Sequence, residues 1–259
     1  MNIWIKTVTT PSPIPNKPLI QIKTPILALA KIITKKAVSM SKKTKPCLVA
    51  CNVLQKEIEK LVKEAKLDAD LVFVSKNFHV DYALIEKYLP PVIEKTLKRY
   101  PDNVVLVYGD LCLGMNNEMK KLADRYGIVK VDALNCVDCQ LGGKGKFVEA
   151  DPNHELMFLT PGMTDFFRHA KETMRKEGVD EAVFKQFFTG IKGIILLDTL
   201  GDAAHLRTEV EQLETGLRIL EVRALGCENV RNIIQEAIEE NKKHTGKKFS
   251  VLPTSNNHS

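Results

Sequence analysis

Three cysteines follow three separate apolar runs of this chain of 259 residues. Cys51 ends the run "LVAC", Cys112 follows "VVLVYGDL", and Cys136 follows "IVKVDALN". Each run has the length and composition of a buried strand. Because the loops after parallel strands gather at the carboxyl edge of a sheet, where ligands bind, we expect the three thiols to share that edge.

Such a group of thiols suits a soft or borderline metal. Thiolates bind Zn²⁺ or the iron of iron–sulfur clusters, and an imidazole can complete the shell. Three thiolates with His79 would close a tetrahedron around zinc, whereas three thiolates alone leave a position open for water, substrate or sulfur. The competing interpretation is that each cysteine is a small core residue, because cysteine is among the most buried residue types.

Cys139 forms a CxxC pair with Cys136. This spacing is typical of a redox pair or half a zinc site, or of a helix start at which only one thiol matters. Cys139 is therefore a metal ligand of lower rank than the other three. Cys47 opens a strand and Cys227 begins a helix, so both are interpreted as structural.

Polar residues follow the predicted strands at the same edge. They are expected to bind the substrate or to hydrogen-bond the metal ligands. These residues are Asp110, Asn135, Thr160, Gly162, Asp198 and Thr199. Asp202 is expected to cap a helix instead. The segment "LGGKGK" lacks the spacing of a phosphate-binding loop and is interpreted as a flexible turn or a helix with a basic edge.

The elements that must position these residues alternate between strand and helix. Strands are predicted at 47–51, 69–75, 103–109, 128–133, 156–160, 191–198 and 217–222. Helices are predicted at 53–66, 81–99, 115–126, 138–148, 163–176, 179–188, 203–215 and 227–242. The strands are continuous apolar runs, as in sheets covered on both faces. The sequence therefore predicts an α/β fold with a mainly parallel, Rossmann-like sheet and helices on both faces.

The ends of the chain differ from its centre. Residues 1–45 contain nine lysines, five prolines and no acidic residue, which favours a disordered extension or, second, a basic amphipathic segment on a membrane surface. Residues 46–244 are predicted to form the α/β domain, as one body or as two lobes divided near 150–155. Residues 245–259 are predicted to be a disordered tail.

The charge and cysteine content limit the partners and the compartment. Beyond residue 45 the chain has 29 basic and 32 acidic residues, and it lacks a basic stripe with interleaved aromatics, so a nucleic-acid partner is not expected. No apolar segment is long enough for stable membrane insertion. Six cysteines without a secretory signal predict a reducing, cytoplasmic environment.

The order of several motifs resembles an uncharacterised family, domain of unknown function family 1638. The matching blocks are "ACNVLQKEIEKL", "FHVDYALIEKYL", "VLVYGDLCLG", "LNCVDCQLGGKGKF", "MFLTPGM" and "IILLDTLGD". The resemblance covers roughly residues 46–240. It implies recurrent positions at Cys51, His79, Cys112, Cys136, Leu159 to Gly162, Asp198 and Thr199. The family occurs in methanogens and other anaerobes, and its members look linked to corrinoid-dependent methyl transfer.

Three functions remain open at this point. The first is a cysteine-ligated metal protein, with zinc or an iron–sulfur cluster, acting as an enzyme or accessory factor in anaerobic one-carbon metabolism with a small-molecule substrate or a corrinoid protein as partner. The second is a non-catalytic module that binds a small molecule or a corrinoid protein. The third is a thiol redox protein that uses Cys136 and Cys139.

Overall fold

The computed structural model describes residues 45–75 and 82–250, with side chains up to residue 244. The predicted N-terminal extension up to residue 44, His79 and residues 251–259 lie outside the described residues. The strands are β1 (Cys47–Cys51), β2 (Asp70–Val74), β3 (Val104–Val107), β4 (Val129–Lys130), β5 (Leu156–Leu159), β6 (Gly193–Asp198) and β7 (Ile219–Ala224). All of their observed pairings are parallel.

Helices connect the strands, as the alternating sequence pattern predicts. They are α1 (Gln55–Lys63), α2 (Tyr82–Leu97), α3 (Glu118–Tyr126), α4 (Cys136–Leu141), α5 (Lys146–Ala150), α6 (Pro161–Lys176), α7 (Glu181–Gln186), α8 (Ala203–Glu211) and α9 (Glu228–Ser250). Short 3₁₀ turns follow β1 (Asn52–Leu54) and β3 (Asp110–Cys112).

The described strands form two sheets instead of one continuous sheet. The first has the order β2-β1-β3-β4 and the second the order β5-β6-β7. In β6 alternate residues enter different hydrophobic clusters: Ile195 and Leu197 join the large core cluster of the first sheet, whereas Ile194 and Leu196 join a smaller cluster on the other face. Both faces of this strand are buried, which explains its unbroken apolar sequence and confirms the predicted parallel α/β class.

The strand order of the first sheet determines where a ligand can enter. The chain adds β2 on one side of β1 and then β3 on the other, so the order reverses between β1 and β3. Ligands of open parallel sheets bind beyond the carboxyl ends of the strands at such a reversal. Ala50 is level with Val107 across this pair. Cys51 and Tyr108 are therefore the next residues of the two strands at this reversal.

Most predicted boundaries differ from the structure by a few residues, and three differences change an element or the extent of the domain. β4 has only two residues, whereas a strand was predicted at 128–133. The helix predicted at 138–148 is divided into α4 and α5, because Gly142, Gly143 and Gly145 have positive φ values that end a helix. Finally, α9 continues to Ser250, beyond the predicted end of the domain at residue 244.

Candidate functional site

Three of the predicted ligands lie at the carboxyl edge of the first sheet. Cys51 is the last residue of β1, and Cys112 ends the 3₁₀ turn after β3. Cys136 is the first residue of α4, whose N-terminus is capped by the side chain of Asn135, which accepts a hydrogen bond from the Asp138 amide at 2.9 Å. One strand end, one 3₁₀ turn and one helix start therefore supply the three thiols.

The fourth thiol of this edge is Cys139, one helical turn after Cys136. Electrostatic interactions join Cys51 to Cys112 and join Cys136 to each of the other three cysteines, while Cys139 also interacts with Cys51 and Cys112. In all six pairs of these thiols, ionisation of one would therefore raise the pKa of the other. We call Cys51, Cys112, Cys136 and Cys139 the four-thiol cluster. All six cysteines of the chain are described, and none forms a disulfide.

Burial keeps these thiols protonated. Cys51 and Cys139 have exposed fractions of 5% and 2%, and Cys136 is similarly buried, whereas Cys112 is partly exposed. Burial raises the pKa of Cys51 to about 12 and that of Cys112 to about 11. The pKa values of Cys136 and Cys139 are raised further, by burial first and then by their neighbouring thiols. In the absence of a cation the cluster is therefore uncharged at neutral pH.

The cluster suits a thiophilic metal by its chemistry, but it is not arranged as a finished site. Four sulfur donors are the set that structural zinc and iron–sulfur clusters prefer. Within residues 45–75 and 82–250, however, no group of three or more His, Cys, Asp or Glu side chains has the arrangement needed to hold a metal ion. Metal binding would therefore require these thiols to lose protons and to reorient.

The backbone around the cluster is fixed by Asp138, which is fully buried in α4. Its carboxylate accepts hydrogen bonds from the backbone amides of Leu134, Gly145 and Phe147, at 2.8, 3.0 and 2.6 Å. These amides lie before and after α4, so one carboxylate joins both flanks of the CxxC helix. Its role is to shape the backbone near the thiols.

Close backbone packing brings the loops after β3 and β4 together. A Cβ atom at Gly109 would lie 2.3 Å from the carbonyl oxygen of Leu134, too close for any side chain. The amide of Asp110 donates to the carbonyl of Ala133 at 2.9 Å. Glycine at position 109 thus allows the Cys112 turn to lie directly beside the segment that leads to Cys136.

Asp110 is held by two lysines beside the cluster. Its carboxylate lies 2.9 Å from Lys130 Nζ and 2.7 Å from Lys144 Nζ. Burial opposes ionisation of Asp110, but hydrogen bonds from the two lysines outweigh it, and the pKa of the carboxyl is lowered. The charge of Lys130 also lowers the pKa of Cys112 and of Cys139, against the larger effect of burial. The same lysine therefore pairs with Asp110 and acts on two of the thiols.

A cleft of about 360 Å³ opens beside this ion-pair group. Asp110, Lys130 and Lys144 line its end nearest the cluster, and Asp132 adds a further exposed carboxylate. Lys144 stands on the glycine-rich loop between α4 and α5, in which three glycines have positive φ. The cleft therefore has polar walls of both charges, and a glycine-rich loop forms one of its sides.

The residues predicted at the ends of β5 and β6 mainly bind neighbouring backbone. Thr160 caps α6 by accepting a hydrogen bond from the Met163 amide at 3.2 Å. Asp198 accepts from the amides of Leu200, Gly201 and Asp202, which closes the loop after β6. These observed bonds assign both side chains a structural role. Asp202 caps α8 through the His205 amide at 3.1 Å, as predicted.

Gly162 and Thr199 instead connect the two sheets. A Cβ at Gly162 would lie 1.9 Å from the carbonyl oxygen of Val53, two residues after Cys51. Thr199 donates from Oγ1 to Glu57 Oε1 of α1 at 2.6 Å. The carboxyl ends of β5 and β6 therefore contact the segment that follows β1, and the second sheet supports the position of Cys51.

The sequence reasoning missed four residues of this region. Lys130 and Lys144 hold Asp110, Tyr108 interacts electrostatically with Cys51 and Cys112, and Glu57 is buried beneath α4. One signal was available: Lys130 is a single charge within the apolar run "IVKV", and a buried charge requires a partner. For the other three, the sequence carries no comparable signal.

Comparison with known proteins identifies the family of this chain. The model of the family described as Protein of unknown function (DUF1638) matches residues 73–232. The chain belongs to this family, as its motif order predicted. No curated protein and no solved structure matches the chain. In the described part of the chain, no helix is both long and apolar enough to cross a bilayer.

Proposed function

We propose that this protein binds a thiophilic metal, as a zinc ion or an iron–sulfur cluster, through Cys51, Cys112 and Cys136. The observation that supports this proposal is that four buried or partly buried thiols lie at or after the carboxyl ends of β1, β3 and β4, near enough for the charge on one thiolate to raise the pKa of the others. Cys139 belongs to the same group and is the fourth sulfur donor. His79, outside the described residues, remains an alternative fourth ligand.

The chemistry of the thiols favours metal binding over a redox function. Reactive redox cysteines have lowered pKa values and partial exposure, whereas burial raises the pKa of each cluster thiol. A bound cation would reverse this effect, because it stabilises the thiolate directly. Metal uptake should therefore release protons from the cluster.

Metal content measured on anaerobically purified protein tests the proposal. We expect stoichiometric zinc, or iron with acid-labile sulfide, and loss of the metal in Cys112→Ser. Cys47→Ser is the matched control, because Cys47 lies at the opposite end of β1 from Cys51, and it should keep the metal. If the wild-type protein lacks stoichiometric metal and the apo-protein takes up none from added zinc or reconstituted iron and sulfide, the proposal is wrong.

A role in corrinoid-dependent one-carbon metabolism is proposed from the family resemblance alone, with the protein as an enzyme or an accessory factor. Anaerobic incubation with methylcobalamin and a small thiol tests the enzymatic form. Methyl transfer would form a sulfur–carbon bond, break the cobalt–carbon bond, release the thiol proton and leave cob(I)alamin. Unchanged methylcobalamin absorbance in the presence of metal-loaded protein would exclude this activity.

A non-catalytic binding module is the second candidate, favoured by the cleft beside Asp110. Its walls carry Lys130 and Lys144 as well as acidic residues, which suits a small polar molecule bearing charge. This candidate predicts ligand-induced thermal stabilisation that is lost in Lys144→Ala and is independent of metal. Stabilisation that disappears when the protein is stripped of metal would argue against it.

A further inference from the structure

A buried glutamate joins the helix after β1 to the CxxC helix. Glu57 of α1 is fully buried. Its Oε1 atom accepts a hydrogen bond from Thr199 Oγ1 at 2.6 Å and one from Gln140 Nε2 at 3.3 Å. Gln140 directly follows Cys139 in α4. The carboxyl group therefore contacts the helix that carries two cluster thiols, but it is not itself a proposed ligand.

Two oxygen atoms of this contact have no partner. Glu57 Oε2 and Gln140 Oε1 are buried and make no hydrogen bond to any described residue. If Glu57 is ionised, both atoms are acceptors and cannot satisfy each other. Unsatisfied buried acceptors are costly and rare in folded proteins, so this pair requires an explanation.

We propose that Glu57 carries a proton on Oε2 in the folded protein and donates it to Gln140 Oε1. Together with the observed bond from Gln140 Nε2 to Glu57 Oε1, this closes an eight-membered acid–amide ring. One proton then satisfies both orphaned oxygens. Oε1 becomes the carbonyl oxygen of the acid, whose two lone pairs accept the two observed hydrogen bonds.

The charged groups around Glu57 agree with a neutral carboxyl. Lys56 Nζ lies 2.7 Å from Asp165 of α6, and Lys60 Nζ donates to the Leu200 carbonyl at 2.7 Å, so the bonds made by both lysines lead elsewhere. Cys227, at the start of α9, interacts electrostatically with Glu57. A buried carboxylate without a directly bonded cation is strongly disfavoured. Burial raises the pKa of Glu57 by more than the hydrogen bond from Thr199 and the charge of Lys56 lower it.

The charges on the other packed elements are likewise engaged with their own backbone. Asp138 of α4 binds three amides around its helix, and Asp198 binds three amides of the loop after β6. Both are acidic side chains, so neither could balance a negative charge on Glu57. The acid–amide ring is thus a proton-binding site that ties α4 to α1, and it does not require a metal.

Infrared spectroscopy tests the protonation directly. At neutral pH the wild-type spectrum should contain the carbonyl band of a protonated carboxylic acid, which Glu57→Gln should remove. Glu59→Gln is the matched control, because Glu59 is exposed on the same helix, and it should keep the band. A wild-type spectrum without this band would overturn the proposal and indicate a carboxylate with a buried water or cation.

The pH dependence of folding provides a second readout. A raised folded-state pKa means that the native state binds the proton more tightly, so its stabilising effect is complete below the unfolded pKa and is lost as pH rises through the folded pKa. The ratio of wild-type to Glu57→Gln folding constants should fall by up to about tenfold per pH unit from the unfolded pKa of ~4.3 up to the folded-state pKa, and become constant above it. A ratio independent of pH would contradict the proposal.

Gln140→Ala removes the proposed acceptor of the Glu57 proton, and it remains informative if Glu57→Gln does not fold. The acid then loses its acceptor, so its carbonyl band should move to higher frequency while the protein stays folded by circular dichroism. A band that does not move would show that Gln140 is not the acceptor. All of these readouts can be measured on metal-free protein, so they succeed or fail independently of metal binding.

Discussion

Replacing Asp138 with alanine removes the acceptor for three backbone amides that flank the CxxC helix. Hydrogen bonds to a charged acceptor contribute about 1.5–3 kcal/mol each to stability. The full sum is not expected, since the amides of Gly145 and Phe147 lie on a glycine-rich segment that can open to water. We therefore expect a loss of about 3–5 kcal/mol in the free energy of unfolding, a large share of the ~5–15 kcal/mol typical of a domain.

Urea denaturation followed by circular dichroism measures this loss. The free energy of unfolding of Asp138→Asn should lie between those of Asp138→Ala and the wild type. Asparagine keeps one acceptor oxygen for these amides, but its NH2 group is a donor and cannot accept from the others. Asp132→Ala is the control: its carboxylate is 80% exposed and lies 3.7 Å from Lys144, so a change within about 0.5 kcal/mol is expected. A loss below about 1 kcal/mol in Asp138→Ala would refute the assigned role of this carboxylate.

Three further substitutions test other parts of the structure. Gly162→Ala should destabilise the protein by about 2 kcal/mol or more, because the new Cβ meets the Val53 carbonyl; equal urea midpoints would contradict this. Asp110→Asn should lower stability at neutral pH and reduce the loss of stability in acid. A lowered folded-state pKa contributes stability above the unfolded pKa, and this contribution is lost as pH falls through the folded-state pKa. Thermal melts at a series of pH values test this, and an unchanged loss of stability below pH ~4 would argue against it. Phe184→Ala should cost about 3–5 kcal/mol at a residue 1% exposed, whereas Phe187→Ala, at 63% exposed, should change the urea midpoint much less; comparable losses would contradict the packing.

The sequence alone determined the class of fold and the edge at which the thiols lie. Continuous apolar runs separated by helical patterns require sheets covered on both faces, and such strands are parallel. Once the strands are parallel, residues that follow them lie at one edge whatever the strand order. Cys51 and Cys112 could therefore be placed there from local sequence.

Other features of the edge depended on the strand order and on the division into two sheets. The order β2-β1-β3-β4 makes β1, which ends at Cys51, and β3, which is followed by the turn of Cys112, the two strands that border the reversal. The second sheet brings Gly162 and Thr199 against the segment after Cys51 instead of into an open substrate site. Periodicity cannot supply this information, because it describes the faces of an element but not its neighbours.

Side-chain partners were decided by tertiary structure alone. Glu57 and Thr199 are separated by 142 residues and Glu57 and Gln140 by 83, so no local pattern could pair them. A glutamate in a helix is usually solvated, and only the packing of α1 against α4 and the loop after β6 removes Glu57 from water. The amino-acid types determine which groups can ionise or bind metal, whereas burial and long-range contacts decide which of them share a proton, a charge or a cluster.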